Sequence, residues 1–186
     1  MLRNLLAAAL VAGASPALAT GLQITVAGEA NGVITIDLLE DVAPQHVARI
    51  TELAESGAYD GVVFHRVIDG FMAQTGDVQF GDSTDGYNYR RAGTGGSDLP
   101  DLPAEFSNVP FEAGVVGMAR SQSPNSANSQ FFIMFEPGPF LNGQYTVVGR
   151  VTDGFNVVQS IKKGHPRSGA MTEGDPDRMV QVVATD

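Results

Sequence analysis

Residues 62–77 read VVFHRVIDGFMAQTGD, and this stretch decides the fold. Two apolar segments flank Asp69-Gly70, a dipeptide that suits backbone positions of positive φ, so the stretch predicts a β-hairpin. Arg66 and Gln74 stand within these apolar strands, where an unpaired polar group is costly to bury. Two interpretations are open at this point: an arginine that extends to the surface beside a glutamine at a strand edge, or a polar pair in a ligand groove.

Outward from the hairpin, short strand-like segments recur between glycine-rich turns. Apolar and polar residues alternate in residues 22–27 and again in residues 33–38, which is the pattern of strands buried on one face. Residues 81–103 are rich in Gly, Asp, Ser and Pro, and this composition predicts a long surface loop. The chain is therefore expected to be mainly β.

Two segments have helical spacing instead. The first, residues 44–56, begins with proline and is followed by Gly57, which can end a helix in the left-handed conformation. The second, residues 153–163, has Asp153 as its expected N-cap and Gly164 as its terminator. We expect these two helices to cover the open ends of a closed sheet.

Composition limits the classes of function. A chain of 186 residues fits one compact domain, and a net charge of −10 disfavours nucleic acid as a partner. The absence of cysteine excludes disulfides and thiolate metal sites. The histidines lack a metal-ligand spacing, so we expect neither a metal nor a cofactor.

Residues 1–19 have the features of an export signal. Arg3 supplies the positive charge, residues 5–11 form a short apolar run, and Ala17-Leu18-Ala19 is a small-residue cleavage site. The apolar run is shorter than the roughly 20 residues that span a bilayer, which disfavours a retained membrane helix. We expect cleavage after Ala19, a mature domain of residues 20–186 with no membrane attachment, and a periplasmic location.

Three further segments complete a pattern with the hairpin. They read GTGG at residues 93–96, VVGMARSQSPNSANSQFFIM at residues 115–134 and FLNGQYTVVGRV at residues 140–151. In this order, the segments resemble the cyclophilin family of peptidyl-prolyl cis-trans isomerases, and specifically its prokaryotic branch. The resemblance covers nearly all of the mature chain and implies an eight-stranded antiparallel closed β-barrel capped by two α-helices.

The resemblance also implies a site. Arg66 would be the catalytic side chain and Gln74 its polar companion, while the backbone around Arg120 and Ser121 would hold the residue that precedes the proline. The substrate-binding residues that it implies are Phe71, Met72, Ala119, Arg120, Ser121, Gln130, Phe132, Phe140, Leu141 and Tyr145. Taken singly, each apolar member of this set would also fit an ordinary barrel core.

Three of these positions depart from the pattern of many family members. Tyr145 stands where many members have histidine, and Arg120 stands where many have asparagine. Phe140 replaces a tryptophan, which implies that cyclosporin-like macrocycles bind weakly. The resemblance also implies that Gly95 and Gly96 border a secondary subsite.

The hairpin register bears directly on the implied site. With a two-residue turn at Asp69-Gly70, Arg66 faces Ala73, and Gln74 lies on the opposite face of the sheet. A shared site for Arg66 and Gln74 therefore requires a bulge, a twist or a longer turn, and we predict one. His65 alternates with Arg66 and is expected to point into packing or structural hydrogen bonds rather than to act in catalysis.

The residues suit rotation about X-Pro bonds, because a donor aimed at the proline nitrogen binds the twisted form better than either planar isomer. The expected function is acceleration of this rotation in proline-containing segments of exported proteins, assisting their folding, by a monomer without cofactors. The alternative is a chaperone or docking module that binds proline-containing segments with little catalysis.

Overall fold

A computed structural model of the chain describes residues 21–84, 87–172 and 174–186. The export signal expected at residues 1–19 lies outside these ranges and stays a prediction. Within the described ranges, no helix is long and apolar enough to cross a membrane.

Eight strands form one antiparallel sheet. They are β1 (Gly21–Ala27), β2 (Gly32–Leu38), β3 (Arg66–Ile68), β4 (Met72–Thr75), β5 (Val115–Met118), β6 (Phe131–Met134), β7 (Val147–Asp153) and β8 (Arg178–Thr185). Their order across the sheet is β3-β4-β6-β5-β7-β2-β1-β8. The alternation in the first two strands has its expected effect, since Leu22, Ile24 and Val26 point into the core.

The prediction of a closed barrel is wrong: the sheet is curled but open, with β3 and β8 as its two edges. Residues 61–64 approach β8 through an isolated bridge between Val63 and Arg178 and through backbone hydrogen bonds to Asp177 and Met179, but they do not form a continuous ladder. Residues 65–67 bond instead to residues 169–171, since Met171 donates its N–H to the carbonyl of His65 and Val67 donates to that of Gly169, so β3 does not continue along β8. The prediction of a mainly β fold with eight strands and two helices is confirmed.

The first helix, α1, spans Pro44–Glu55, close to the range that the sequence predicts. Proline occupies its first turn, and Gly57 beyond its end has φ +71°, as expected of a residue that ends a helix. Its buried face includes Val47, Ile50 and Leu53, which are the apolar residues at helical spacing. Tertiary packing against the sheet therefore stabilises α1.

The second helix, α2, spans Phe155–Ser160 and is shorter than predicted. Asp153 is the last residue of β7 rather than the N-cap, and Gly154, at φ +77°, takes the N-cap position. The helix stops early because the chain becomes extended at Ile161, and Lys162 then donates its backbone N–H to Asp177 Oδ2 over 2.7 Å.

The hydrophobic interior is divided into two clusters. The larger one packs α1 and α2 against the sheet, and it includes Ile36, Ile50, Phe64, Ile133 and Val158. The smaller one consists of Met72, Phe111, Val115, Phe132, Met134, Leu141 and Val147. The smaller cluster lies beneath the candidate site and supports it with buried apolar side chains.

Candidate active site

The turn between β3 and β4 contains three residues, 69–71, rather than two. Arg66 is paired directly with Gln74, and Ile68 with Met72. Gly70 adopts φ +66° within the turn, and the backbone N–H of Phe71 donates to the carbonyl of Ile68 over 3.0 Å. Because directly opposed residues in an antiparallel pair share a face, Arg66 and Gln74 lie side by side. Of the predicted alternatives (a bulge, a twist or a longer turn), the structure has the longer turn.

Hydrogen bonds fix the guanidinium of Arg66 at two of its three nitrogens. Nη1 donates to Gln74 Oε1 over 3.1 Å, and Nε donates to the carbonyl of Ser168 over 3.1 Å. Among the residues that the structure describes, Nη2 has no hydrogen-bond partner. Burial lowers the pKa of Arg66 from its ordinary value, but arginine stays charged at ordinary pH. The site thus presents an oriented cation with a free donor.

An open cavity of about 410 Å³ lies beside this guanidinium. Ten of its lining residues are Arg66, Phe71, Met72, Gln74, Ala119, Arg120, Phe132, Phe140, Leu141 and Tyr145, all of which the sequence resemblance implies. The floor is apolar and buried, with Met72 only 1% exposed. Phe140 is 63% exposed at the mouth, and its ring lies 5.5 Å from that of Phe71. Such a combination suits a small apolar group held beside a donor.

The remaining two predicted residues, Ser121 and Gln130, line an adjacent cavity of about 460 Å³ instead. The two cavities share Gln74, Ala119 and Arg120 as lining residues. The second cavity is also bordered by residues 93–97, which contain the GTGG run. The residues therefore form one groove with an apolar part and a polar part.

A chain of side-chain hydrogen bonds connects the two parts of the groove. Gln74 Nε2 donates to Gln130 Oε1 over 2.9 Å, and Gln130 Nε2 donates to the carbonyl of Gly95 over 2.8 Å. Arg66 donates to Gln74 at one end of this hydrogen-bond series, and the Gly95 carbonyl accepts at the other end. The side-chain amides of Gln74 and Gln130 are therefore each held in one orientation.

Asp77 holds the loop that follows this chain, and sequence reasoning gave it no role. It is fully buried, and its Oδ2 accepts hydrogen bonds from the backbone N–H groups of Gly93 and Gly95 at 2.6 and 3.0 Å. Its Oδ1 accepts from the N–H groups of Gln79 and Phe80. The sequence signal was an aspartate at the end of the hairpin followed by GTGG, but their contact depends on the tertiary fold.

In the described part of the chain, no group of three or more histidines and acidic residues could hold a metal ion.

Gln144 is a second residue that sequence reasoning left without a role. It lines the apolar cavity together with the predicted residues. Its side chain donates to the carbonyl of Phe140 over 3.0 Å. Its place between Leu141 and Tyr145 is the only signal that could have identified it.

His65 is buried rather than presented to the groove, as the alternation predicts. It is 5% exposed, and Gly93 packs so closely on its ring that a Cβ there would lie 2.9 Å from Cδ2. Burial lowers the pKa of His65 to about 4. The imidazole is therefore neutral at neutral pH and has a packing role.

Comparisons with known proteins agree with this geometry. The family model for cyclophilin-type peptidyl-prolyl cis-trans isomerases matches residues 22–185. A probable peptidyl-prolyl cis-trans isomerase of Brucella suis is 58% identical over 153 residues, which cover 82% of this chain and 78% of that protein. A peptidyl-prolyl cis-trans isomerase of Synechococcus elongatus is 37% identical over 135 residues, which cover 72% of this chain and 84% of that protein.

Solved structures show the same fold. The cyclophilin AquaCyp293 of Hirschia baltica has a TM-score of 0.70 at 29% identity. The match covers 88% of this chain and 73% of the Hirschia chain. A cyclophilin-type peptidyl-prolyl cis-trans isomerase of Cryptosporidium parvum, solved in the presence of the dipeptide Ala-Pro, has a TM-score of 0.73 at 25% identity. The match covers 89% of this chain and 99% of the Cryptosporidium chain. The chain thus belongs to the cyclophilin family and is a peptidyl-prolyl cis-trans isomerase.

Proposed function

We propose that Arg66 is the catalytic residue of this isomerase and that its clients are exported proteins whose folding requires X-Pro rotation. The observation that carries the catalytic assignment is the position of the Arg66 guanidinium. It borders the apolar cavity with Nη2 unpaired among the described residues, while Nη1 and Nε are held by Gln74 and Ser168.

The reaction breaks no covalent bond. An X-Pro bond rotates slowly because amide resonance must be lost, at a barrier of about 18–20 kcal/mol. In the twisted form the proline nitrogen loses conjugation and gains a lone pair, so it becomes a hydrogen-bond acceptor. A donor that meets this nitrogen stabilises the transition state more than either planar isomer, and only such differential binding accelerates the step. We assign this donation to Arg66, with Nη2 as the free N–H group.

The apolar residues supply the other part of the acceleration. A charge-assisted hydrogen bond contributes roughly 1.5–3 kcal/mol, or about one to two decades in rate. A proline ring seated on Met72, Phe132 and Leu141 would be fixed while the preceding residue rotates, and the cavity would exclude water that favours the polar planar amide. Gln74 keeps the guanidinium directed at the ring.

The assignment to exported clients rests on residues 1–19. A positive charge, a short apolar run and a small-residue cleavage site are the features of a secretory signal. An isomerase carried by this signal would meet its clients as they fold after export, in the periplasm. Slow X-Pro isomerisation limits the folding of many chains, so acceleration of this step assists folding.

The catalytic assignment is tested with a protease-coupled isomerisation assay on an Ala-Pro peptide. Arg66→Ala should lower kcat/KM by about 10- to 100-fold. Arg150→Ala is the matched control, since Arg150 lies in β7 outside the groove and its side chain, among the described residues, hydrogen-bonds to Glu112 at 3.4 Å. Equal rates for wild type and Arg66→Ala would contradict the assignment. Peptide binding without turnover in the wild type would favour the docking alternative.

Export is tested separately, by expressing the full chain in a Gram-negative host and determining the N-terminal residue of the protein in the periplasmic fraction. Cleavage after Ala19 predicts Thr20 as the first residue. Ala19→Arg should block processing. A protein that stays in the cytoplasm with residues 1–19 attached would contradict the proposal.

A further inference from the structure

We propose that Arg120 is a positioning residue that joins the two loops of the groove through Tyr145 and thereby sets the affinity for the polypeptide. The inference rests on the proposed function of the groove, and it assigns a role to two positions at which this chain departs from many cyclophilins.

The guanidinium of Arg120 is occupied by backbone carbonyls. Nε and Nη2 both donate to the carbonyl of Gln144, at 3.2 and 2.9 Å. Nη1 donates to the carbonyls of Ser121 and Gln122, at 2.9 and 3.3 Å. All three nitrogens thus have partners, and these partners belong to two separate loops.

The same guanidinium stacks on an aromatic ring. Its Cζ lies 4.4 Å from the ring centroid of Tyr145, a distance at which cations are attracted to the ring face. The edge-to-face contact of Tyr145 with Phe132, at 5.9 Å between centroids, connects the ring to the buried cluster beneath the groove. Arg120 is therefore anchored through Tyr145 to the floor of the apolar cavity.

Both loops that Arg120 joins line the groove. The first, residues 119–126, follows β5 and borders both cavities. The second, residues 138–146, contains Phe140, Leu141 and Tyr145, which line the apolar cavity. Asn125 Oδ1 accepts from the N–H of Ala104 at the far end of this loop, whereas near Arg120 the other side-chain bonds of the loop are exposed ones such as that from the Ser121 N–H to Ser126 Oγ, 3.0 Å long.

This arrangement predicts an effect on affinity rather than on the rate of rotation. A loop that is already ordered binds a peptide without losing further conformational entropy, so it binds more tightly. None of the Arg120 nitrogens contacts Arg66 or Gln74 in the described structure, so removal of Arg120 should leave the catalytic donor in place. KM should rise while kcat stays nearly unchanged, which is the signature of lost uniform binding.

Lysine should not replace arginine here. Its single ammonium group cannot donate to carbonyls on both loops in a fixed planar array while it stacks on a ring. Arg120→Lys keeps the charge and a long side chain, so it separates the geometric role of the guanidinium from a simple effect of charge.

The test is steady-state kinetics on an Ala-Pro peptide for wild type, Arg120→Lys, Arg120→Gln, Tyr145→Leu and the double variant Arg120→Gln/Tyr145→Leu. We expect KM to rise about 5- to 30-fold in each Arg120 variant, with kcat within about twofold of wild type. The double variant should be impaired by less than the combined effects of the two single variants, because both remove the shared stacking contact between Arg120 and Tyr145. Arg150→Gln serves as the control for loss of an arginine outside the groove.

Native-state hydrogen exchange supplies a readout that does not depend on turnover. The amide of Ser121, which donates to Ser126 Oγ, should exchange faster in Arg120→Lys than in wild type, while the amides of β6 should not change. If Arg120→Gln does not fold, Arg120→Lys alone decides the question by the same two measurements.

Three results would overturn the proposal: an unchanged KM in the Arg120 variants, a loss of kcat at constant KM, or fully additive effects in the double variant. Failure of the proposed catalytic assignment looks different, since Arg66→Ala would then be as active as wild type. An active wild type with an impaired Arg66→Ala and normal Arg120 variants would reject the positioning role alone.

Discussion

Arg66 and Gln74 are direct cross-strand partners, and Nη1 of the arginine donates to Oε1 of the glutamine over 3.1 Å. The amide of Gln74 cannot turn without losing a second hydrogen bond, from its Nε2 to Gln130. The acceptor of the guanidinium that we propose to be catalytic is therefore fixed by Gln130, which lines the neighbouring cavity. This relationship makes Gln74 a positioning residue rather than a second acid or base.

Replacing Gln74 should impair the enzyme by releasing Arg66. Gln74→Leu removes the acceptor and should lower kcat/KM about tenfold in the coupled assay, on the scale of one hydrogen bond to a charged group. Gln74→Glu retains an acceptor for Arg66 and should be more active than Gln74→Leu. A Leu variant as active as wild type, with an unchanged thermal midpoint, would contradict this role.

The rate of isomerisation should be nearly independent of pH between about 6 and 8. Arginine does not titrate in this range, and burial places the pKa of His65 at about 4, below it. The measurement is kcat/KM for the Ala-Pro peptide in buffers of constant ionic strength. A sigmoidal profile with a single midpoint inside the range would indicate a titrating catalytic group instead.

The stability of the fold should depend on pH through His65. Its folded pKa of about 4 lies below the ordinary value of 6.5, so the unfolded chain binds one more proton between these values. The free energy of unfolding should therefore decrease as the pH falls from about 6.5 towards 4, by up to about 1.4 kcal/mol per pH unit for this one proton.

Denaturant unfolding at several pH values measures this dependence. His65→Gln should be less stable than wild type at pH 7 but should lack this part of the slope, so the difference between the two proteins should shrink on acidification. A difference that stays constant from pH 7 to pH 4.5 would show that His65 does not carry the linkage.

The contact between Gly95 and Asp77 should tolerate no side chain. A Cβ at Gly95 would lie 2.5 Å from Asp77 Oδ1 and 2.8 Å from both Gln79 Cβ and Phe80 Cδ2. Gly95→Ala should therefore destabilise the protein by about 1–3 kcal/mol through overpacking. It should also disturb the hydrogen bond from Gln130 to the Gly95 carbonyl.

The matched control is Gly143→Asn. Gly143 has φ +68° but no atom within 4 Å of its potential Cβ, and asparagine tolerates this conformation. Thermal unfolding should show a clear loss for Gly95→Ala and a small one for Gly143→Asn. Equal losses would contradict crowding at Asp77 as the cause of the Gly95→Ala effect.

Local patterns in the sequence predicted the elements that depend on local interactions. Pro44 and Gly57 delimit α1 because the fixed φ of proline and the freedom of glycine act on their own residues. The second helix was predicted too long because its end depends on Asp177, a distant residue that accepts the Lys162 N–H. Closure of the sheet was also beyond local reasoning, since it depends on how residues 61–64 meet β8.

The residues of the site could be predicted from the sequence, but several of the contacts that hold them could not. The resemblance placed Arg66 and the apolar residues correctly in one cavity, and the register argument showed that a simple turn could not bring Gln74 beside Arg66. It could not choose between a bulge, a twist and a three-residue turn. Contacts such as Asp77 to Gly95 and Arg120 to Tyr145 join segments that only the tertiary fold brings together.

The pairing of Gly21 in β1 with Thr185 in β8 places the two ends of the described chain side by side. A short peptide could therefore link them, and new termini could be opened in a surface loop away from the groove. The curled sheet would keep every strand neighbour that it has now. This cyclophilin is thus a natural scaffold for circular permutation, in which the order of the strands along the chain is changed while the groove is retained.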